Sequence, residues 1–238
     1  MANYIFHAAD SRGSADHGWL QSKHTFSFAN YFNPERMQFG VLRVLNDDHV
    51  AAGQGFGAHP HDNMEIISIP LAGDLEHKDS IGNVKVIRSG DIQVMSAGTG
   101  VTHSEYNKNS DRDVKFLQIW VYPNKRNVSP RYDQLSLNPA DRVNKFQQIL
   151  SPNPADEGVW IHQDAWFSLG NFDAGVAQKY TFKGEHTGLY IFNLSGELLV
   201  DGYTLQTRDG LAITALQEVT ITAKSAAEFL LMEVSMQS

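Results

Sequence analysis

Two short stretches concentrate side chains that bind metal ions. The first, Gly53-Gln54-Gly55-Phe56-Gly57-Ala58-His59-Pro60-His61, sets His59 and His61 two residues apart. In an extended chain, residues i and i+2 leave from the same face, so both imidazoles can reach one cation. The second, Gly98-Thr99-Gly100-Val101-Thr102-His103-Ser104-Glu105, repeats that spacing with His103 and Glu105. If the two segments are neighbouring strands, three imidazole nitrogens and one carboxylate oxygen converge. Such a set suits Fe(II), Cu(II), Ni(II), Mn(II), Co(II) or Zn(II) and is too nitrogen-rich for Ca²⁺ or Mg²⁺. Four protein ligands around a metal that prefers five or six leave room for water, O₂ or a chelating substrate, which is the mark of a catalytic site. Glu65 is a rival carboxylate, because it shares strand parity with His59 and His61. It could be the fourth ligand, an acceptor for a ligand imidazole N–H, or a solvent-facing residue, and parity alone does not choose among these.

The elements that must position these donors read as strands. Apolar runs are short, rich in β-branched and aromatic residues, and bounded by Gly, Asn, Asp or Pro. Examples are Met64–Ile69, Val84–Ile87, Phe116–Val121 and Phe229–Val234. Their recurrence at strand-plus-turn spacing predicts an all-β sandwich or barrel. The one helical signal is Asn138-Pro139-Ala140-Asp141, a capping residue followed by proline, which predicts a single short turn. The stretch from Pro123 to Gly158 holds five of the eight prolines and reads as the connection between two strand-rich halves, with Lys145–Leu150 as an early strand of the second. The halves echo each other. Ile69–Leu75 followed by Ser89–Met95 matches Phe192–Leu198 followed by Arg208–Ile213, each a strand–Gly–strand hairpin leading to a further turn and strand. One small barrel, duplicated, accounts for this. His17, Trp19, His24, Phe26 and Phe28 fall in one alternating segment. Its plain reading is a strand packed on a barrel, and the sharper one is an aromatic wall beside the metal. Gly53, Gly55 and Gly57 precede no helix and lack a phosphate-loop lysine, so they shape the backbone beside the metal rather than cradle phosphate. Asp79–Asn83 reads as a hairpin turn.

Composition narrows the function. The 238 residues are 42% hydrophobic and 19% charged, which is globular. There is no cysteine, so thiolate metal sites, Fe–S clusters, disulfides and cysteine nucleophiles are excluded. A net charge of −8 with no basic run argues against direct nucleic-acid or anionic-membrane partners. The N-terminal residues lack the pattern of a signal peptide, and no stretch approaches the length of a membrane span. The expected location is the cytoplasm.

The pattern Gly53-x₅-His59-x-His61-x₃-Glu65-x₇-Gly73, then Gly90-x₅-Ser96-x-Gly98-x₄-His103-x₃-Asn107, resembles the two cupin motifs, with Ser96 where proline is usual and a small spacing change in each. The departures match one cupin branch. His17-Gly18-Trp19-Leu20, His24-Thr25-Phe26-Ser27-Phe28, Gly55-Phe56-Gly57, His59-Pro60-His61 and His103-Ser104-Glu105 make the chain similar to the pirins. The resemblance implies a bicupin: two face-to-face antiparallel β-barrels, jelly-roll-like, with few short helices. An N-terminal metal-binding domain (1–127) would pair with a C-terminal domain (128–238) that lacks ligands. It implies His59, His61, His103 and Glu105 as ligands of one divalent metal, Fe(II) first, in preference to Glu65. It also implies a dioxygenase resembling quercetin 2,3-dioxygenase, acting on a flavonol-like aromatic substrate with O₂, and Glu105 is then the catalytic base for the flavonol 3-hydroxyl. The alternative is a pirin-like redox-sensing or regulatory module without turnover, acting through a protein partner. A monomer is expected.

Overall fold

The structure, a computed structural model, describes residues 2–237. Among them there are strands, turns and two 3-10 segments, and no α-helix. No helix is long and apolar enough to cross a membrane. The predicted turn is one of the 3-10 segments, Pro139–Arg142, with the Asn138 side chain accepting the Ala140 N–H.

Each half of the chain is a pair of antiparallel sheets. The first large sheet runs Arg131–Ser136, Asp91–Ser96, Glu65–Ala72, Val114–Val121, Leu42–Val50, Leu20–His24, Gly13–Asp16. Facing it is a four-stranded sheet, Gly55–His61, Val101–Asn107, Asp74–Asp79, Val84–Arg88. The second half repeats the plan. Its large sheet runs Asn3–His7, Gly210–Thr214, Thr187–Ser195, Ala227–Ser235, Ala165–Phe172, Phe146–Ser151, with Val159–Trp160 added in parallel. Its small sheet runs Ala177–Thr181, Glu218–Ala223, Leu198–Val200, Tyr203–Leu205. The all-β bicupin plan therefore holds, although each unit is a two-sheet sandwich and not a closed barrel.

The internal repeat extends to the turn of one hairpin in each half. Gly73 and Gly196 join corresponding hairpins at φ of 75° and 76°. A Cβ there would meet the Asp113 and Ala226 carbonyl oxygens at 2.7 and 2.1 Å, so only glycine fits. The ends of the halves cross over. Asn3–His7 joins the sheet of the second half, beside Gly210–Thr214, and Arg131–Ser136 joins that of the first, beside Asp91–Ser96. The proline-rich stretch is therefore a connection that contributes strands to both halves.

The two large sheets pack face to face. Leu45, Ile67, Ile69, Ile92 and Ile119 of one meet Phe167, Tyr190, Phe192 and Met232 of the other in a single apolar cluster. Central strands of the first large sheet are consequently buried on both faces. Glu65–Pro70 and Asp91–Ser96 show no exposed residue, so one side of each supports the other half and the opposite side closes the first sandwich.

Candidate metal centre

Strand register brings the donors together. His59 pairs directly with His103 across the Gly55–His61 and Val101–Asn107 strands. Directly opposite residues on antiparallel strands share a face. The Val101–Asn107 strand alternates cleanly, with Val101, His103, Glu105 and Asn107 buried and Thr102 and Tyr106 exposed. Between His103 and Glu105 the register shifts, so that Glu105 faces Phe56. At that bulge the strands approach closely. A Cβ on Gly55 would lie 2.3 Å from the Glu105 carbonyl oxygen, which accounts for one glycine of the Gly-x-Gly run.

Donor atoms of His59, His61 and His103 lie within 4.8 Å of one another. His59 Nδ1 sits 2.7 Å from the Gly57 carbonyl oxygen, so Nδ1 carries a hydrogen, and the tautomer this bond selects is the one with its lone pair on Nε2. Nε2 of His61 and Nε2 of His103 are both buried without a hydrogen-bond partner. Buried polar atoms are normally satisfied, and two orphaned imidazole nitrogens beside a third suit a divalent transition metal. Burial, reinforced by the neighbouring imidazoles, lowers the pKa of His61 to about 4 and that of His103 to about 2. Both are therefore neutral and free to ligate at pH 7.

Glu105 lies in a different grouping, its carboxylate within 4.8 Å of donor atoms of His103 and His77. It is fully buried. Ser68 Oγ donates to one oxygen at 2.9 Å and Gln118 Nε2 to the other at 2.8 Å. Burial pushes its pKa upward, opposed by His77, Ser68, His59 and Gln118.

Glu65 points elsewhere. It alternates with Ile67 and Ile69, which face the second half. Its carboxyl accepts from Ser96 Oγ at 2.6 Å and from the His162 backbone N–H, with Arg131 nearby. Arg131 in turn bonds the Trp160 carbonyl oxygen at 2.6 Å and lies over the Trp160 ring. The rival carboxylate thus ties the halves together; it is neither solvent-facing nor part of the imidazole group.

A cavity of about 460 Å³ opens beside His59. Trp19, Phe28, Phe56 and Trp120 supply its aromatic wall, and Ser22, His24, Asn46, Asp48 and Gln118 its polar wall. Trp120 packs edge-on against His61, with ring centroids 4.9 Å apart, and Phe28 against Trp120 at 5.4 Å. His24 Nδ1 and Asn46 Oδ1 are buried and unpartnered. Burial, with Glu105 and Asp47 nearby, raises the pKa of Asp48 to about 7 against the bond from Ser22. Of the alternating aromatic segment, His17, Trp19, His24 and Phe28 line this cavity, whereas Phe26 turns to the other half and packs on Tyr190.

Sequence reasoning passed over His77 and Asp79, which are buried side by side on the next strand of the same sheet. Their signal was available: a third pair of potential donors at i and i+2, hidden because Asp79 also begins a turn.

The second half holds no equivalent group among the described residues. Where Val101–Asn107 turns donors inward, Glu218–Ala223 turns Val219, Ile221 and Ala223.

Comparison with known proteins agrees with this architecture. The profile of the Pirin family matches residues 5–121, and that of the quercetinase C-terminal cupin domain matches residues 148–234. Quercetin 2,3-dioxygenase of Escherichia coli K12 is 42% identical over 95% of this chain and 96% of its own length. A pirin-like protein of Caulobacter vibrioides is 38% identical over 95% and 97%. The crystal structure of YhhW from Escherichia coli superposes with a TM-score of 0.94 at 40% identity, covering 99% of this chain and 100% of that one. YhhW has also been solved in complex with nickel(II), and that structure matches with a TM-score of 0.93 at 40% identity over 98% of this chain and 99% of that one. Two-sheet halves, a nitrogen-rich donor cluster in the first, and near full-length similarity on this scale place the chain in the pirin family of metal-dependent cupins.

Proposed function

We propose that this protein is a metal-dependent dioxygenase of the quercetin 2,3-dioxygenase type. In this reading His59, His61, His103 and Glu105 bind one divalent transition metal in the N-terminal domain (1–127), and the C-terminal domain (128–238) acts as a metal-free structural partner. The observation that carries the reading is the conjunction of three converging imidazoles, two with orphaned nitrogens, and an aromatic-walled cavity opening beside them.

The cavity suits a flat polyphenol. Its volume falls in the range of small-molecule sites. Trp19, Phe28, Phe56 and Trp120 offer faces and edges to an aromatic substrate. Asn46 Oδ1 accepts a phenolic hydroxyl that would otherwise be desolvated without a partner. Bound metal would supply Lewis acidity toward a substrate oxygen, with iron(II) as first expectation and nickel(II) the ion seen in the Escherichia coli relative. Glu105 is the base for the 3-hydroxyl proton of a flavonol. Burial raises its pKa above the usual carboxylate range, which brings it nearer the value a base needs at neutral pH. Ser68 and Gln118 each donate to one of its two oxygens and so fix the carboxylate's orientation. The similarity to named quercetin 2,3-dioxygenases supports the same substrate class.

The test pairs metal analysis with quercetin consumption under air and under nitrogen. His59→Ala is expected to lose metal and turnover together. Glu105→Gln is expected to retain part of the metal and lose most of the rate. Unchanged quercetin consumption by metal-free protein, or full activity in Glu105→Gln, would overturn the reading.

A further inference from the structure

We propose that His77 and Asp79 are positioning residues that fix the tautomer and orientation of His103, presenting its Nε2 lone pair to the metal centre. The inference rests on His103 being a ligand, as argued above.

Three adjacent strands each carry one pair at i and i+2 on the inner face. His103 lies opposite both His59 and Asp79, and Glu105 lies opposite His77. The third pair is buried more deeply than His59 and His61, since the side chains of His77 and Asp79 are both fully buried. Asp79 is a rigid acceptor. One oxygen takes the backbone N–H groups of Ile81 and Asn83 at 3.1 and 2.9 Å. The other takes Asn83 Nδ2 at 2.8 Å and His77 Nε2 at 2.9 Å. The turn after the strand therefore anchors the carboxylate, and the carboxylate sets the His77 proton on Nε2.

The consequence passes along the rings. A His77 ring with its single proton on Nε2 presents Nδ1 as a lone pair, and this atom lies 3.5 Å from His103 Nδ1. Two ring nitrogens can bond only if one carries hydrogen, so His103 holds its proton on Nδ1. Its Nε2, buried and unpartnered among His59 and His61, is left as the lone pair. A backbone carbonyl achieves the same for His59, through Gly57. His103 has no such carbonyl and relies on the His77–Asp79 pair. Tyr132 packs on the His77 ring, with centroids 4.8 Å apart, and keeps it in line. His77 is itself close enough to His103 and Glu105 to be read as a ligand. Its Nε2 is committed to Asp79, however, and its Nδ1 faces a ring nitrogen, so neither is free. Outer partners of this kind orient ligand imidazoles, and losing them typically costs about 10–100-fold in metal affinity.

The experiment uses His77→Phe, which keeps the ring volume against Tyr132 and removes both nitrogens, with Asp79→Asn as the milder variant. Far-UV circular dichroism and thermal melting establish that each is folded. Long-range ¹H–¹⁵N correlation spectra of the metal-free proteins report histidine tautomers, and His103 is assigned by the signal missing in His103→Gln. Ni(II) dissociation constants come from chelator competition. Wild type is expected to show Nδ1–H at His103. His77→Phe should move the proton to Nε2 and weaken Ni(II) binding by about 10–100-fold, and Asp79→Asn should do so by less. An unaltered tautomer together with unaltered Ni(II) affinity would overturn the inference. So would the loss of one coordinating nitrogen in the electron paramagnetic resonance spectrum of Cu(II)-loaded His77→Phe, because His77 would then be a ligand. Should His77→Phe not fold, Asp79→Asn decides by the same two readouts. Should wild type bind no Ni(II), the metal centre itself fails, while the tautomer comparison still tests the positioning role.

Discussion

Glu65→Gln separates two carboxylates that the cupin-like spacing leaves as rivals. The structure buries Glu65 between the halves, where burial raises its pKa from 4.5 to about 7 despite the bond from Ser96 and the charge of Arg131. A carboxyl whose folded-state pKa is raised holds its proton more tightly in the native state than in the unfolded chain. Native stability from this group is therefore complete below about pH 4.5 and declines as pH rises through about 7. At about 1.4 kcal/mol per pKa unit, that displacement amounts to about 3 kcal/mol. Glutamine resembles the protonated form and does not titrate. Urea unfolding curves collected from pH 5 to 8 should show Glu65→Gln gaining on wild type as pH rises, approaching about 3 kcal/mol at pH 8. Taking the difference between the two proteins cancels the other titrating groups, including Asp48, whose pKa is raised in the same sense, and His7, whose burial lowers its pKa to about 4. Metal content of the variant should equal that of wild type. A stability difference independent of pH, or loss of metal from Glu65→Gln but not from Glu105→Gln, would refute the placement of Glu65 and return it to the site.

Gly55→Ala should damage both fold and centre, because its Cβ would lie 2.3 Å from the Glu105 carbonyl oxygen and 2.5 Å from Tyr106 Cα. Overpacking of this kind costs about 1–3 kcal/mol, and prying the strands apart at the bulge should weaken Ni(II) binding as read by chelator competition. Tyr180→Phe removes a buried 2.8 Å bond to Glu233 and should cost about 1–2 kcal/mol in urea unfolding. Because Glu233 belongs to the second sandwich and keeps its bonds from Thr187 and the backbone of Lys183 and Gly184, metal affinity should not change.

Much of the architecture is legible in the chain because the signals are local. Alternation such as that of Val101–Asn107, hairpins closed by Gly73 and Gly196, and the capped turn at Asn138 depend on neighbours in sequence. The i, i+2 spacing of His59 with His61 and of His103 with Glu105 is also local, and only their convergence needed a third dimension. The side to which Glu65 points was not legible. Parity assigns a residue to a face, and a strand buried on both faces gives no hydropathy contrast to say which face is the site. The crossing of Asn3–His7 and Arg131–Ser136 into opposite halves was hidden for a related reason: edge pairing is decided by which backbone is unpaired nearby. His77 and Asp79 went unread because Asp79 also supplies acceptors to the turn at Ile81 and Asn83, which is the ordinary reason for an aspartate at that place.

Why, among the described residues, metal donors cluster in one of two matching sandwiches follows from the cost of burying them. The interior of the first half desolvates His61, His103, Glu105, Asp48 and the His77–Asp79 pair, and burial shifts four of these groups toward their neutral forms. Its remaining apolar interior is divided into small clusters around Leu75 and Phe116 and around Ile66 and Met95. The second half fills the corresponding space with Leu, Ile, Val and Phe side chains in one continuous cluster. Between the two lies the apolar layer contributed by both large sheets. The strand opposite the donors, Glu65–Ala72, is thus held from behind by Ile67 and Ile69 against the second half, while Ser68 on its inner face holds Glu105. Packing on one face of that strand stiffens the acceptor-binding face a side chain away. Duplication of the fold therefore allows a polar interior in one copy, because the other supplies the rigid apolar backing that such an interior cannot supply for itself.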